Sequence, residues 1–137
     1  MAYADLAVGQ CAELIHTVSD RDIRGYAEIT GDRNPAHLDD EWAAKSRFGG
    51  RIAHGMLTAG FISAVLGMEL PGAGAIYLSQ TLRFRKPVRI GDRITTRAEV
   101  LELFPAVKRV RMATRCTNQA GEVVLDGEAL LLVDDVA

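Results

Sequence analysis

Residues 26–68 read YAEITGDRNPAHLDDEWAAKSRFGGRIAHGMLTAGFISAVLGM, and this stretch decides the fold. It opens on a short loop, Gly31-Asp32-Arg33-Asn34-Pro35-Ala36-His37, which carries a carboxylate and an imidazole close together. It closes on a nearly uniform apolar segment that begins at His54-Gly55 and runs to Met68, broken only by Thr58 and Ser63. That segment is well short of the roughly 20 residues needed to span a bilayer. Apolar on most sides, it reads as a core helix that a sheet must enclose, with Gly60 and Gly67 leaving room for a partner.

Working outward, Gln10 to Val18 alternates well enough to predict a strand, and His16 in it reads as structural or surface. Ser19-Asp20-Arg21-Asp22 is a capping box, so a helix follows, with Ile23, Tyr26, Ala27 and Thr30 as its buried stripe. Gly31 stops it, since glycine takes the left-handed cap conformation freely. Pro35 fixes its own φ and restricts Asn34, which predicts an extended, stiff backbone from Asp32 to His37. Asp39-Asp40-Glu41 places acids at the start of a further short helix, where the macrodipole favours them. Downstream of Pro71-Gly72, four strand-like runs follow: Ile76 to Arg85, Arg93 to Leu103, Val107 to Thr117 and Glu122 to Val133. The economical arrangement is α+β, one curved antiparallel sheet around one buried helix, in a single domain spanning 1–137. The edge strand this leaves predicts a homodimer with a sheet continuous across two subunits.

Composition sets what to exclude. The chain has 137 residues, 48% hydrophobic and 25% charged, with a formal net charge of -2. Neither that balance nor any basic run asks for nucleic acid, and the N-terminus has no signal-peptide pattern. Cys11 and Cys116 lack metal-like spacing, which predicts a reduced cytoplasmic protein; a disulfide between them stays open at this point. No membrane association is expected, and Asp32, His37, Asp39 and His54 match no metal-ligand spacing.

Tyr26, then Gly31-Asp32-Arg33-Asn34-Pro35-Ala36-His37 and Ala43, resembles the signature of the (R)-specific enoyl-CoA hydratases, the MaoC-like group of hot-dog-fold proteins. The likeness extends to His54-Gly55-Met56-Leu57, to Ile76-Tyr77-Leu78 and to Lys86-Pro87-Val88 with Gly91-Asp92, covering nearly the whole chain. Single-domain members that supply polyhydroxyalkanoate precursors look most alike. Ala36 departs from the pattern, where a larger aliphatic residue is usual; this alters packing under the loop rather than the chemistry.

The resemblance implies Asp32 and His37 as the catalytic pair of a hydro-lyase. It needs no cofactor beyond the coenzyme A of its own substrate. The chemistry agrees. Adding water to a trans-2-enoyl thioester requires a base for the water, a proton for C2 and a donor to the thioester oxygen. A histidine and an aspartate holding one water between them serve both protons. His37 is assigned as base and Asp32 as orienter and C2 proton donor, with sharing of both roles the alternative. Asn34 braces the loop or the water. The Gly55 N–H at the helix start is the oxyanion donor, since the first amides there have no intrahelical acceptor. Ser63 matches a family position near the aspartate, with a hydrogen bond to Asp32 as the expectation. The bland reading of Asp32 and His37 is loop capping, and His54 is left outside the catalytic set as a residue that orients the helix entry.

Arg83, Arg85, Lys86, Arg109 and Arg111 are candidates for coenzyme A phosphates, against the plainer reading of a solvated face paired with Glu99, Asp126 and Glu128. Leu57, Phe61 and Tyr77 are candidates for the acyl pocket. Two rivals stand beside hydration: acyl-CoA thioesterase activity on the same scaffold, and a non-catalytic subunit of a hetero-oligomeric dehydratase.

Overall fold

The computed structural model describes residues 1–136. Strand β1 (Cys11–Thr17) leads into helix α1 (Asp20–Thr30) through the expected capping box. The Ser19 side chain accepts from the Asp22 N–H at 3.1 Å, and the Asp22 carboxylate accepts from the Ser19 N–H at 3.0 Å. His16 is structural, with its Nε2 2.7 Å from the same carboxylate. Gly31 caps α1 at φ 83°.

The next segment departs from expectation. Asn34 has the extended conformation that a following proline imposes (φ -54°, ψ 133°). Pro35, however, starts a helical turn, α2 (Pro35–Leu38), rather than continuing an extended loop. Its fixed φ suits the first helical position, where its missing N–H costs nothing. His37 therefore projects from a helix, not from extended chain. Asp39 then caps α3 (Asp40–Ala44), accepting from the Trp42 N–H at 3.0 Å.

The apolar run forms α4 (Gly55–Met68). Five strands follow it: β2 (Ala75–Gln80), β3 (Arg83–Phe84), β4 (Arg93–Phe104), β5 (Arg109–Thr117) and β6 (Val123–Val133). The predicted strand from Ile76 to Arg85 is thus two pieces. Gly127 explains the break. The Thr81 carbonyl lies where its Cβ would be, at 1.8 Å, so the chain bulges close over Gly127 while staying along the same edge of β6, with the Thr81 N–H bonded to the Glu128 carbonyl at 2.9 Å.

All strands pair antiparallel, in the order β1-β4-β5-β6-β2, with β3 also on β6. On one face, Ile94, Ala98, Val100, Val110, Met112 and Leu131 pack with Ile62, Val65 and Leu66 of α4 in one core. A single antiparallel sheet holding a central helix is the hot-dog arrangement. The helix is not enclosed all round. Met56, Gly60, Ser63, Ala64, Gly67 and Met68 form an exposed stripe at helical spacing. Cys11 is exposed on β1, Cys116 is buried on β5, and no disulfide joins them. Among the described residues, no helix is long and apolar enough to cross a membrane.

Candidate active site

The loop after α1, the turn α2 and the start of α4 meet at a cavity of about 510 Å³. Asp32, His37, His54 and Gly55 line it, with apolar walls that include Tyr26, Phe48, Met56, Phe84, Val88 and Leu125. None of Leu57, Phe61 and Tyr77 lines it. Leu57 and Phe61 pack against the core instead, and Tyr77 stands on β2. The phase of α4 decides this, since it turns residues 55, 56 and 58 toward the cavity.

Asp32 sits just past the Gly31 cap. The Thr30 hydroxyl accepts its N–H at 3.2 Å, and its carboxylate accepts the Asn34 N–H at 3.3 Å. Asn34 braces the loop: its side-chain oxygen caps α2 by accepting the Ala36 N–H at 2.9 Å. His37 Nδ1 lies 2.8 Å from the Ile52 carbonyl oxygen. A carbonyl only accepts, so Nδ1 carries the proton and Nε2 keeps its lone pair. Arg51, with its side chain nearly buried, donates through Nε to the His37 carbonyl at 2.6 Å and pairs with Asp20 of α1. It clamps α2 to the N-terminal end of α1, and the guanidinium holds the Asp20 carboxyl below its usual value.

Gly55 begins α4, and its N–H has no acceptor among the described residues. The neighbouring segment is pinned by Ile52 N–H to the Ala36 carbonyl at 3.1 Å and Ala53 N–H to the Val88 carbonyl at 2.7 Å. The first bond fixes the start of α4 against the turn that carries His37, and the second fixes it against the segment after β3. A Cβ on Gly55 would stand 2.6 Å from the Phe84 ring, so the ring lies against this helix start.

Ser63 is placed elsewhere. It is exposed on the stripe of α4, does not line the cavity, and makes no hydrogen bond to Asp32. Two turns of helix separate it from Gly55, which puts it beyond the cavity's edge in one chain.

His54 was set aside in the sequence, yet the structure puts it at the centre. Donor atoms of Asp32, His37 and His54 all lie within 4.8 Å of one another. No spacing rule finds this trio, because His54 lies in a separate segment from the motif that holds Asp32 and His37. One nitrogen of each ring is committed to a backbone carbonyl, and the remaining His54 Nδ1 is buried without a partner.

The basic candidates divide. Arg85 and Lys86 line the cavity but are paired, Arg85 with Asp126 at 2.9 Å and Lys86 with Glu122. Arg111 lies on the outer sheet face, bonded to Glu102 and Glu128.

An exposed carboxylate, an imidazole with a free Nε2, and an unpartnered amide at a helix start together fit acid–base chemistry on a carbonyl compound. The MaoC-like domain family matches residues 9–122. The chain belongs to that family. It is 56% identical to a 3-hydroxybutyryl-CoA dehydratase of Methylorubrum extorquens, over 96% of this chain and 83% of that protein. It is 50% identical to an (R)-specific enoyl-CoA hydratase of Rhodospirillum rubrum, over 96% of this chain and 90% of that one. Its structure resembles that of R-hydratase PhaJ1 from Pseudomonas aeruginosa with a TM-score of 0.94 at 51% identity, covering 98% of this chain and 86% of the other.

Proposed function

We propose that this MaoC-like protein is a hydro-lyase that adds water to trans-2-enoyl-CoA to give (R)-3-hydroxyacyl-CoA, and catalyses the reverse dehydration. The observation that carries this is the fixed tautomer of His37, whose free Nε2 shares a cavity with the Asp32 carboxyl and the unpartnered Gly55 N–H. The names of the relatives at 50% and 56% identity support the substrate class.

The thioester oxygen accepts the Gly55 N–H, so charge that builds on the enolate meets a donor already in place. His37 Nε2 takes a proton from the water as its oxygen bonds C3. Asp32 orients the water and passes the proton from His37 on to C2, which closes the cycle with water consumed and no other reactant. The apolar walls hold the acyl chain. No cofactor and no metal takes part, so chelators leave turnover unchanged. A stoichiometric metal in active protein would count against this.

The protein acts as a homodimer in the cytoplasm. The edge strand β2 exposes Ile76, Tyr77 and Leu78, each more than 40% accessible, and α4 exposes its small-residue stripe. A second copy covers both and joins the sheets edge to edge. The reaction serves fatty-acid turnover or the supply of polyhydroxyalkanoate precursors. The test of function is crotonyl-CoA hydration with chiral analysis of the product. Formation of the (S)-alcohol, or thiol release in place of hydration, would overturn the assignment.

A further inference from the structure

We infer that His54 is a positioning residue that ties both members of the acid–base pair to the oxyanion donor. Its Nε2–H donates to the Asp32 carbonyl at 2.9 Å, its ring stacks on the His37 imidazole, and its own peptide bond leads to Gly55. The inference rests on the proposed roles of Asp32, His37 and Gly55.

The contacts are specific. The His54 and His37 rings are stacked, with centroids 3.9 Å apart and planes inclined by 29°. The Tyr26 ring closes the other side at 4.5 Å. His54 is 2% exposed, and its side chain takes no part in capping α4, although the residue occupies the cap position. The Asp32 carbonyl accepts, so the proton sits on Nε2 and Nδ1 holds a bare lone pair. That Nδ1 is buried with no hydrogen-bond partner. A phenylalanine would fill the same volume without an orphaned polar atom, so packing alone does not explain a histidine. What the imidazole adds is the one bond to the loop that carries Asp32.

The geometry also accounts for a neutral ring. Burial lowers the His54 pKa, and the neighbouring His37 pushes the same way, against the Asp32 contacts. A neutral His54 stacks on His37 without opposing the proton that His37 gains during the reaction.

Two substitutions separate the donor from the ring. His54→Phe keeps an aromatic face and loses the donor. His54→Gln loses the ring and places an amide N–H near the Nε2 position. The expected result is a kcat for His54→Phe lower by about 10²-fold. KM for crotonyl-CoA and the affinity for unreactive butyryl-CoA stay at the wild-type level, and His54→Gln recovers most of the lost kcat. An unimpaired His54→Phe would overturn the inference, as would a loss of kcat and affinity together that Gln does not relieve.

A second measurement needs neither folded variants nor turnover. The chain has three histidines, so ¹⁵N-histidine NMR of the wild type resolves the tautomer of each. A neutral His54 with its proton on Nε2 is expected, and a proton on Nδ1 would overturn the inference. A failed hydration assay beside the expected tautomer would count against the proposed reaction and leave the positioning contact standing.

Discussion

At His37, one hydrogen bond decides which nitrogen is basic. With Nδ1–H held by the Ile52 carbonyl, Nε2 is the base, and His37→Ala should lower kcat by about 10²–10⁴-fold while the protein stays folded. Steady-state kinetics beside circular dichroism checks this. His54 makes a different demand. Its pKa in the fold lies below its ordinary 6.5, so on acidification the unfolded chain takes up that proton first. Stability from this residue is complete above that pH and declines as pH falls below it. Urea unfolding of His54→Gln should therefore depend less on pH than wild type on the acid side of about 6.5. Asp32 and His37 were legible in the sequence because both lie in one continuous motif. His54 and Arg51 were not, since the groups they touch lie far back in the chain and only the folded α1–α2 segment brings them near.

At the scale of elements, the helices were read well apart from the turn α2, which was expected to be extended, and the strand pattern less so. Ser19 and Asp22, Gly31, and the apolar run from Gly55 announce local geometry that depends on near neighbours. The break between β2 and β3 does not, because it is imposed by Gly127 on another strand. Gly127→Ala puts a methyl group into the Thr81 carbonyl, a backbone atom that cannot swing aside. A loss of at least about 1–3 kcal/mol is expected in urea unfolding, with the free energy of the wild type as reference. Gly55→Ala differs in kind. Its Cβ meets the ring of Phe84, which is 53% exposed and free to turn away. The fold should survive, while the displaced ring and the methyl group crowd the thioester and lower kcat/KM by about 10²-fold. Parallel melting curves and crotonyl-CoA kinetics separate the two effects.

For the whole molecule, the exposed stripe on α4 and the open edge of β2 call for a partner, and a second copy satisfies both. The sequence announced the edge, and Gly60 and Gly67 hinted at a partner, but the stripe's extent was hidden, because a helix apolar all round looks the same whether a sheet or a subunit covers it. Gly60 has nothing within 4 Å of its Cβ position, so an arginine there is accommodated in one chain and obstructs two. Gly60→Arg should keep its far-ultraviolet spectrum and sediment as a monomer where wild type sediments as a dimer. A wild type that is monomeric at all concentrations would remove the dimer from the proposal without touching the site.

The most direct measurement is the hydration of crotonyl-CoA by wild type, Asp32→Ala and His37→Ala, followed as loss of enoyl absorbance with chiral analysis of the alcohol. Rapid turnover to the (R)-alcohol, deeply impaired in both folded variants, is the expected result. No turnover by folded wild type on short, medium or branched enoyl-CoAs, or full activity in either variant, would contradict the assignment of Asp32 and His37 as the acid–base pair of a hydratase.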